Sequence, residues 1–149
     1  SSFRCIQTGE QIIEGSGNKL KTLHNPTLGE PGAFIENSHK AIESMEENGP
    51  LELVNQMLQN ILIPGHIQSD EGTHAIIISI LSDNPPSGKI RVEITHDTIL
   101  ACMLYQLQGR TSIDQYDWPR MLEGVLLWRK EKKIFWKWRG ETGGQSYSF

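Results

Sequence analysis

The segment from Lys89 to Gly109 constrains the fold more than any other, because it changes from a strand pattern to a helix pattern within two residues. Residues 89–95 alternate apolar and polar side chains, which is typical of a β-strand. Residues 98–108 form an apolar run that ends at a glycine, which is typical of a helix. His96 and Asp97 therefore lie at the carboxyl end of a strand, the edge at which open α/β sheets bind their ligands. The pattern predicts an α/β fold.

The rest of the chain divides into helical patterns, a long loop and a hairpin. Apolar residues recur at helical spacing in four further segments, which are residues 2–15, 38–48, 50–61 and 69–81. Residues 16–36 are rich in Gly and Pro and predict an irregular connection. Residues 123–139 hold two strand patterns around Lys130-Glu131-Lys132, which predicts an antiparallel hairpin. Residues 140–149 are polar and Gly-rich and predict a mobile tail. We expect one domain over residues 1–139, followed by this tail.

Composition narrows the class of protein. The chain has 149 residues, a net charge of -4 and 37 % hydrophobic residues, which fits one soluble globular domain. It contains no apolar run of the roughly 20 residues that a membrane span needs, and its acidic balance argues against nucleic acid as a partner. Cys5 and Cys102 are too few for a disulfide framework, which favours a reducing compartment. We therefore expect a cytoplasmic protein with neither a membrane nor a nucleic acid as partner.

The start of the first predicted helix is one candidate for an anion site. Ser1 and Ser2 can cap this helix, and the N–H groups at a helix start attract anions. The guanidinium of Arg4, in the first turn, adds a planar fork that suits phosphate. A solvated surface arginine that binds nothing is the alternative interpretation of Arg4, and residue type alone favours it.

The pair His96-Asp97 is a second candidate. A histidine beside an aspartate at a strand end can combine phosphate binding with proton donation. In the alternative interpretation, Asp97 or Thr98 only caps the following helix and His96 is an ordinary loop residue. Asp70 and Glu71 form another acidic pair at a helix start, and capping explains that pair fully. The remaining histidines lack the spacing of metal ligands, so no metal site is predicted.

Several motifs, taken in order, resemble the histidine phosphatase superfamily, which includes phosphoglycerate mutases and histidine acid phosphatases. Ser1–Gly9 (SSFRCIQTG) resembles the second-arginine motif of that family, in which Ser-Ser, Arg and Gln-Thr-Ala open a helix. Thr95–Leu100 (THDTIL) resembles its second-histidine motif, and residues 117–129 (DWP, LEG and WR) resemble its closing segment. Residues 28–34 and Glu71-Gly72 resemble stretches of similar bacterial members. The resemblance covers nearly the whole chain.

The resemblance implies a three-layer, phosphoglycerate-mutase-like fold with a mainly parallel sheet. It implies that a phosphoryl group is hydrolysed or transferred through a phosphohistidine, with no cofactor. Arg4, His96 and Ser2 would bind the phosphate of a small phosphorylated substrate and stabilise its charge during transfer. Asp97 would protonate the leaving oxygen, as in the acid-phosphatase branch. Glu71 is the alternative acid, because a glutamate from another loop does this work in the mutase branch. The expected function is a phosphatase for a small phosphomonoester.

The nucleophile of the family is missing from this sequence. It lies in an Arg-His-Gly motif upstream of the second-arginine motif, and no Arg-His-Gly occurs in the 149 residues. Because covalent catalysis needs that imidazole, we expect this chain alone to be inactive and its fold to be truncated at the N-terminus.

The missing strands would leave helix faces and strand edges uncovered. Arg91 and Glu93 interrupt the apolar pattern of residues 89–95, which also indicates a strand that is less covered on one face. Two alternatives to an enzyme stay open. One is a non-catalytic module that binds phosphate or a phosphorylated partner without turnover. The other is an interaction surface on the uncovered edges, through which the chain associates with a second copy.

Overall fold

The computed structural model describes residues 2–83 and 85–149, and within them the chain is an α/β protein with five helices and one three-stranded antiparallel sheet. The helices are α1 (Ser2–Ser16), α2 (Ser38–Asn48), α3 (Pro50–Leu58), α4 (Ser69–Leu81) and α5 (Asp97–Leu107). All five were predicted, with ends that differ by up to three residues. Ser1 and the side chain of Ser2 lie outside the described part, and so do the cap and phosphate contact predicted for them.

The ends of the first helices follow from local chemistry. α1 continues one residue past Gly15, its predicted end, and stops where Gly17 adopts a left-handed conformation with φ 68°. Asn37 caps α2, because its side-chain oxygen accepts a hydrogen bond from the N–H of Lys40 at 3.1 Å. α3 has Pro50 at its first position, where the N–H that proline lacks would have no acceptor within the helix.

The core lies between α3, α4, α5 and one face of the sheet. Ile77 of α4 and Tyr105 of α5 are almost completely buried. Ile134, Trp136 and Trp138 alternate along one strand and are all buried, so they form the inner face of the sheet. Among the described residues, no helix has both the length and the apolar character to cross a lipid bilayer.

The sheet begins with the predicted hairpin, which is confirmed. β1 (Leu126–Lys130) pairs antiparallel with β2 (Lys133–Trp138), and Glu131 between them adopts a positive φ of 56°. Trp128 lies opposite Phe135, and their rings stack with centroids 5.6 Å apart.

Residues 140–149 correct the prediction of a mobile tail. Glu141–Ser146 form β3, which pairs antiparallel with β2 along its whole length. Gly143 and Gly144 lie opposite Trp136 and Phe135, whose rings occupy the space that a Cβ at either glycine would fill. The prediction was wrong because a glycine-rich strand has no β-branched pattern, and here its glycines make room for large rings.

Lys89–Thr95, the predicted strand, belongs to no sheet in the described part of the chain. The segment has no turn or bend of its own, and Ile90 and Val92 are 80 % and 62 % exposed. Strand pairing needs a neighbour, and residues 2–83 and 85–149 supply none for this segment. All pairing among them is antiparallel. The mainly parallel sheet and the phosphoglycerate-mutase-like arrangement therefore stay predictions.

Candidate functional site

The structure brings the starts of α1 and α5 together. His96 is the N-cap residue of α5, with φ -82° and ψ 153°, and its ring is half-buried. The sulfur of Cys5, in the first turns of α1, lies 3.8 Å from Nε2 and 4.0 Å from Nδ1 of His96. The two residues are 91 positions apart in the sequence. The motif that holds Arg4 and the motif that holds His96 therefore meet in space.

The position of the Cys5 sulfur leaves the imidazole of His96 available to a ligand. An N–H that pointed at the sulfur would place it much closer to one ring nitrogen than to the other, whereas the two distances differ by only 0.2 Å (3.8 and 4.0 Å). The contact is therefore van der Waals packing rather than a directed hydrogen bond. Among the described residues, neither ring nitrogen has an oxygen or nitrogen partner.

Arg4 and Glu30 give this site its electrostatics. Burial lowers the pKa of His96, and the positive charge of Arg4 lowers it further, while Asp97 and Glu30 oppose the shift. Arg4 is exposed and adds positive charge in the neighbourhood of His96. The imidazole is neutral at neutral pH, and an anion between these two groups would favour its protonated form.

Cys5 is a packing residue rather than an activated thiol. Burial raises the pKa of its thiol, Arg4 opposes this shift, and Glu30 adds to it. Nucleophilic cysteines have a lowered pKa, so the Cys5 thiol stays protonated beside His96. It does not replace the nucleophilic histidine that the sequence lacks.

Asp97 begins α5, and both of its carboxylate oxygens accept a hydrogen bond. Oδ1 accepts from the N–H of Thr98 at 2.9 Å, and Oδ2 accepts from the indole N–H of Trp118 at 3.0 Å. The carboxylate is exposed and stands next to His96 in the chain. His96, not Asp97, occupies the N-cap position, and no side chain makes a capping hydrogen bond there. The two contacts of Asp97 instead hold its carboxylate in one orientation. They leave further lone pairs on each oxygen.

Two ion pairs hold the loop that carries Trp118. Arg110 donates to both carboxylate oxygens of Asp117, at 2.8 and 2.7 Å. Arg139, which follows β2, donates to both oxygens of Glu123, at 2.8 and 2.7 Å. Such forked pairs fix geometry more firmly than a single contact does. The indole of Trp118 is thereby held against the start of α5.

A second loop brings Glu30 to the site. The hydroxyl of Thr95 donates to the backbone oxygen of Leu28 at 2.7 Å, which ties this loop to the residue before His96. Gly32, in the same loop, lies against the side chain of Ile99 in α5. The peptide between Glu30 and Pro31 is cis.

Glu71, the alternative acid, is not brought to this site. It is exposed in the first turn of α4, and no hydrogen bond, ion pair or ring contact among the described residues joins it to His96 or Asp97. Its neighbour Gly72 packs against the ring of Phe34 instead.

The sequence interpretation did not assign roles to Cys5, Glu30 or Trp118. The available signal was that each lies inside a stretch used for the family resemblance. When a side chain reaches a site through a contact with a residue far away in the sequence, the residues around it show no motif that reveals this contact. Among the described residues, no group of three His, Cys, Asp or Glu side chains could hold a metal ion.

Comparison with known proteins adds no relative. No family model matches the chain. No curated protein matches it, and no solved structure does so. The resemblance to histidine phosphatases therefore depends on the motifs quoted above.

Proposed function

We propose that Arg4 and His96 form the phosphate-binding site of a histidine-phosphatase-like protein. Its substrate would be a small phosphomonoester. The observation that carries the proposal is the meeting of two motifs 91 positions apart, with Cys5 packed 3.8 Å from Nε2 of His96 and Arg4 close enough to lower the pKa of that ring. The exposed apolar side chains of Phe3, Ile6 and Ile12 on α1 also fit a fold in which further strands cover this helix.

The chemistry of the site suits a tetrahedral anion. Arg4 supplies a guanidinium with several donors in one plane, and His96 becomes a donor at both nitrogens once it is protonated. The positive end of the α5 dipole lies at the same place. Phosphate would therefore meet charge and directed donors from two helix starts.

In the proposed reaction, a histidine nitrogen attacks phosphorus while the bond to the leaving oxygen breaks. Asp97 gives its proton to that oxygen, and the phosphohistidine is then hydrolysed. The attacking histidine is absent from these 149 residues, since they hold no Arg-His-Gly. The chain by itself is therefore proposed to bind phosphate without turning over an ester.

Calorimetry on this chain tests the site, with sulfate and phosphate as titrants. We expect binding in the parent chain, and a loss of about tenfold or more in affinity for Arg4→Gln and for His96→Gln, because each removes charged donors. Lys40→Gln and His39→Gln, both on α2, are controls that remove a cation and an imidazole away from the two helix starts. Equal affinity in the Arg4→Gln variant and the parent chain would contradict the proposal.

A non-catalytic phosphate-binding module is the second candidate, and the absence of Arg-His-Gly from the sequence favours it. The gene's reading frame upstream of Ser1 separates the two. An Arg-His-Gly within roughly 100 residues before Ser1, about one domain length in total, supports the enzyme. The protein encoded by that frame should then hydrolyse an aryl phosphate, and Asp97→Asn should slow it by about 100-fold or more. A full rate in Asp97→Asn and a slow rate in Glu71→Gln would instead make Glu71 the acid.

A further inference from the structure

Residues 116–122, in the connection between α5 and β1, form a loop with several exposed apolar side chains. Tyr116, Met121 and Leu122 are 85, 92 and 82 % exposed. In the described part of the chain, only five large apolar side chains are at least 80 % exposed, and this loop holds three of them. Scattered exposed apolar residues are normal, whereas a cluster of them marks an interaction or ligand-binding surface. The 116–122 loop therefore has the composition of a surface that binds an apolar group.

The backbone of the 116–122 loop is held in place, although its apolar side chains face the solvent. Arg139 donates to the backbone oxygens of Tyr116 and Trp118, at 2.7 and 3.0 Å. The hydroxyl of Tyr105 donates to the backbone oxygen of Asp117 at 2.5 Å. These contacts are all made within the C-terminal third of the chain, so that part fixes the shape of the loop by itself. A loop that is already ordered loses little conformational entropy when a ligand binds, which favours affinity.

Leu122 adopts a strained backbone conformation within this loop. Its φ is 61°, in the left-handed region that residues other than glycine rarely occupy. Strain of this kind persists only where surrounding contacts impose it, and it is concentrated at sites that hold a ligand. Glycine or asparagine would fit this conformation better. The loop thus presents an apolar side chain to the solvent at a position where a small or polar residue would be less strained.

The 116–122 loop lies beside the proposed proton donor. The indole N–H of Trp118 donates to Oδ2 of Asp97 at 3.0 Å. If Asp97 protonates the leaving oxygen of a phosphomonoester, that oxygen lies within one hydrogen bond, roughly 3 Å, of the same carboxylate. The alcohol part of the ester is attached to this oxygen and points away from phosphorus. The loop is therefore the element next to which the alcohol part lies.

We propose that the 116–122 loop binds the alcohol part of the substrate and that this part is apolar, such as an aromatic ring. The alcohol part is placed here on the basis of the proposed function, in which the phosphate lies at Arg4 and His96. The polar side chains of the region favour the same class of substrate. The carboxylates of Asp117 and Glu123 already accept forked hydrogen bonds from arginines, so the hydroxyl groups of a polyol would have to compete for them. The exposed Arg120 adds a cation that can lie over an aromatic ring.

Calorimetry on the 149-residue chain tests this substrate class. The titrants are inorganic phosphate, glycerol phosphate and phenyl phosphate, at about pH 8, where both esters are dianions. We expect phenyl phosphate to bind about tenfold more tightly than glycerol phosphate, because its ring is partly removed from water. Its heat-capacity change on binding should also be more negative, which is the marker of buried apolar surface.

A double variant, Met121→Ser with Leu122→Asn, tests the loop itself. Asparagine tolerates the left-handed backbone at this position, and both side chains face the solvent, so the fold should not change. The advantage of phenyl phosphate over glycerol phosphate should fall to about threefold or less. Inorganic phosphate has no alcohol part, so its affinity should stay that of the parent chain. Leu62→Ser is the matched control and should keep the full advantage, because Leu62 is 79 % exposed in the loop between α3 and α4.

The outcomes separate the substrate class from the proposed function. Equal affinity for the two esters in the parent chain would overturn the proposed substrate class, and so would an advantage of phenyl phosphate that survives in the double variant. Both results leave the phosphate site intact as long as Arg4→Gln weakens the binding of inorganic phosphate. Equal affinity for inorganic phosphate in Arg4→Gln and the parent chain, or no binding in either, would overturn the phosphate site and the substrate class together.

Discussion

The pKa of His96 would control how the proposed anion binds beside it. Burial and the charge of Arg4 lower this pKa, and Asp97 and Glu30 oppose the shift, so the ring is neutral in the anion-free protein at neutral pH. A bound dianion favours the imidazolium, and binding therefore takes up a proton. We predict that the affinity for sulfate rises as the pH falls from 8 to about 5.5, by up to tenfold per pH unit. Sulfate remains a dianion over this range, and calorimetry at several pH values measures the slope.

His96→Gln is the control for this slope, because glutamine has a similar size and no titration. The variant should bind sulfate weakly and with little dependence on pH. An unchanged slope in His96→Gln would assign the proton uptake to another group, and an affinity that falls as the pH drops would contradict the prediction.

The approach of the motifs that hold Arg4 and His96 could be expected from sequence because the order of the two motifs along the chain is informative, while a role of the two side chains in binding phosphate stays a prediction. Glu30 and Trp118 could not, because their contacts with His96 and Asp97 join loops that only folding brings together. Asp97 shows the limit most clearly. Its pattern fits a cap and a proton donor, whereas in the structure His96 is the N-cap residue and Asp97 accepts a hydrogen bond from the N–H of Thr98.

The carboxyl group of Glu123, in the loop that holds Trp118, also has a shifted pKa. Its two hydrogen bonds from Arg139 hold its pKa at about 2, below the value of about 4.3 for a glutamate in an unfolded chain. A depressed pKa contributes stability that is complete above the unfolded value and is lost as the pH falls towards the folded value. We predict that Glu123→Gln costs about 1 kcal/mol of unfolding free energy at pH 7. The difference from the parent chain should shrink below about pH 4, and urea unfolding over this pH range measures it.

Two helical glycines offer a matched test of how the helices pack. A Cβ at Gly72 in α4 would overlap Cδ1 and Cε1 of the Phe34 ring and lie 2.9 Å from the backbone oxygen of Ala33, whereas among the described residues nothing lies within 4 Å of a Cβ at Gly15 in α1. We predict that Gly72→Ala destabilises the protein by about 1–3 kcal/mol through overpacking. Gly15→Ala should stabilise it by about 0.5 kcal/mol, because alanine loses less backbone entropy in a helix. Thermal unfolding of both variants should show shifts of opposite sign, and shifts of the same sign would mean that Gly72 is not in close contact.

The helices could be predicted because their signal is local: apolar periodicity, acidic first turns and glycine ends all lie within a dozen residues. Whether a strand could be predicted depended on whether its pairing partner lies next to it in the sequence. The hairpin of β1 and β2 was found because both strands and their turn are contiguous. β3 was missed because its glycines are explained only by the rings of Trp136 and Phe135 across the sheet. Lys89–Thr95 has a strand pattern but lacks a partner among the described residues, so pattern alone did not make it a strand.

In the whole molecule, the N-terminal helix and the C-terminal segment pack against the rest of the fold to different extents. α1 lies at one side, with much of its apolar face exposed and with Cys5 against His96. The segment after β2 instead packs against the rest of the fold through Tyr147, which is partly buried against the core. Tyr147 stacks on His74 of α4, and its hydroxyl lies 3.0 Å from Nδ1 of that ring. Burial raises the pKa of Tyr147 to about 12. The residue that follows β3 therefore ties the sheet to the helices, which a mobile tail would not do.

This role predicts that the C-terminal segment is needed for stability. A chain that ends at Gly140 loses β3, leaves the backbone edge of β2 unpaired and removes the cover from one side of Trp136. We predict that it loses about 3 kcal/mol or more of unfolding free energy and aggregates more readily, because exposed strand edges pair between molecules. A chain that ends at Ser146 keeps β3 and loses the contacts of Tyr147 and the packing of Arg129 on the ring of Phe149, so it should be intermediate. Tyr147→Phe, which removes one hydrogen bond, should cost about 1 kcal/mol. Urea unfolding ranks the three variants, and a chain ending at Gly140 that unfolds like the parent would restore the interpretation of residues 140–149 as a tail.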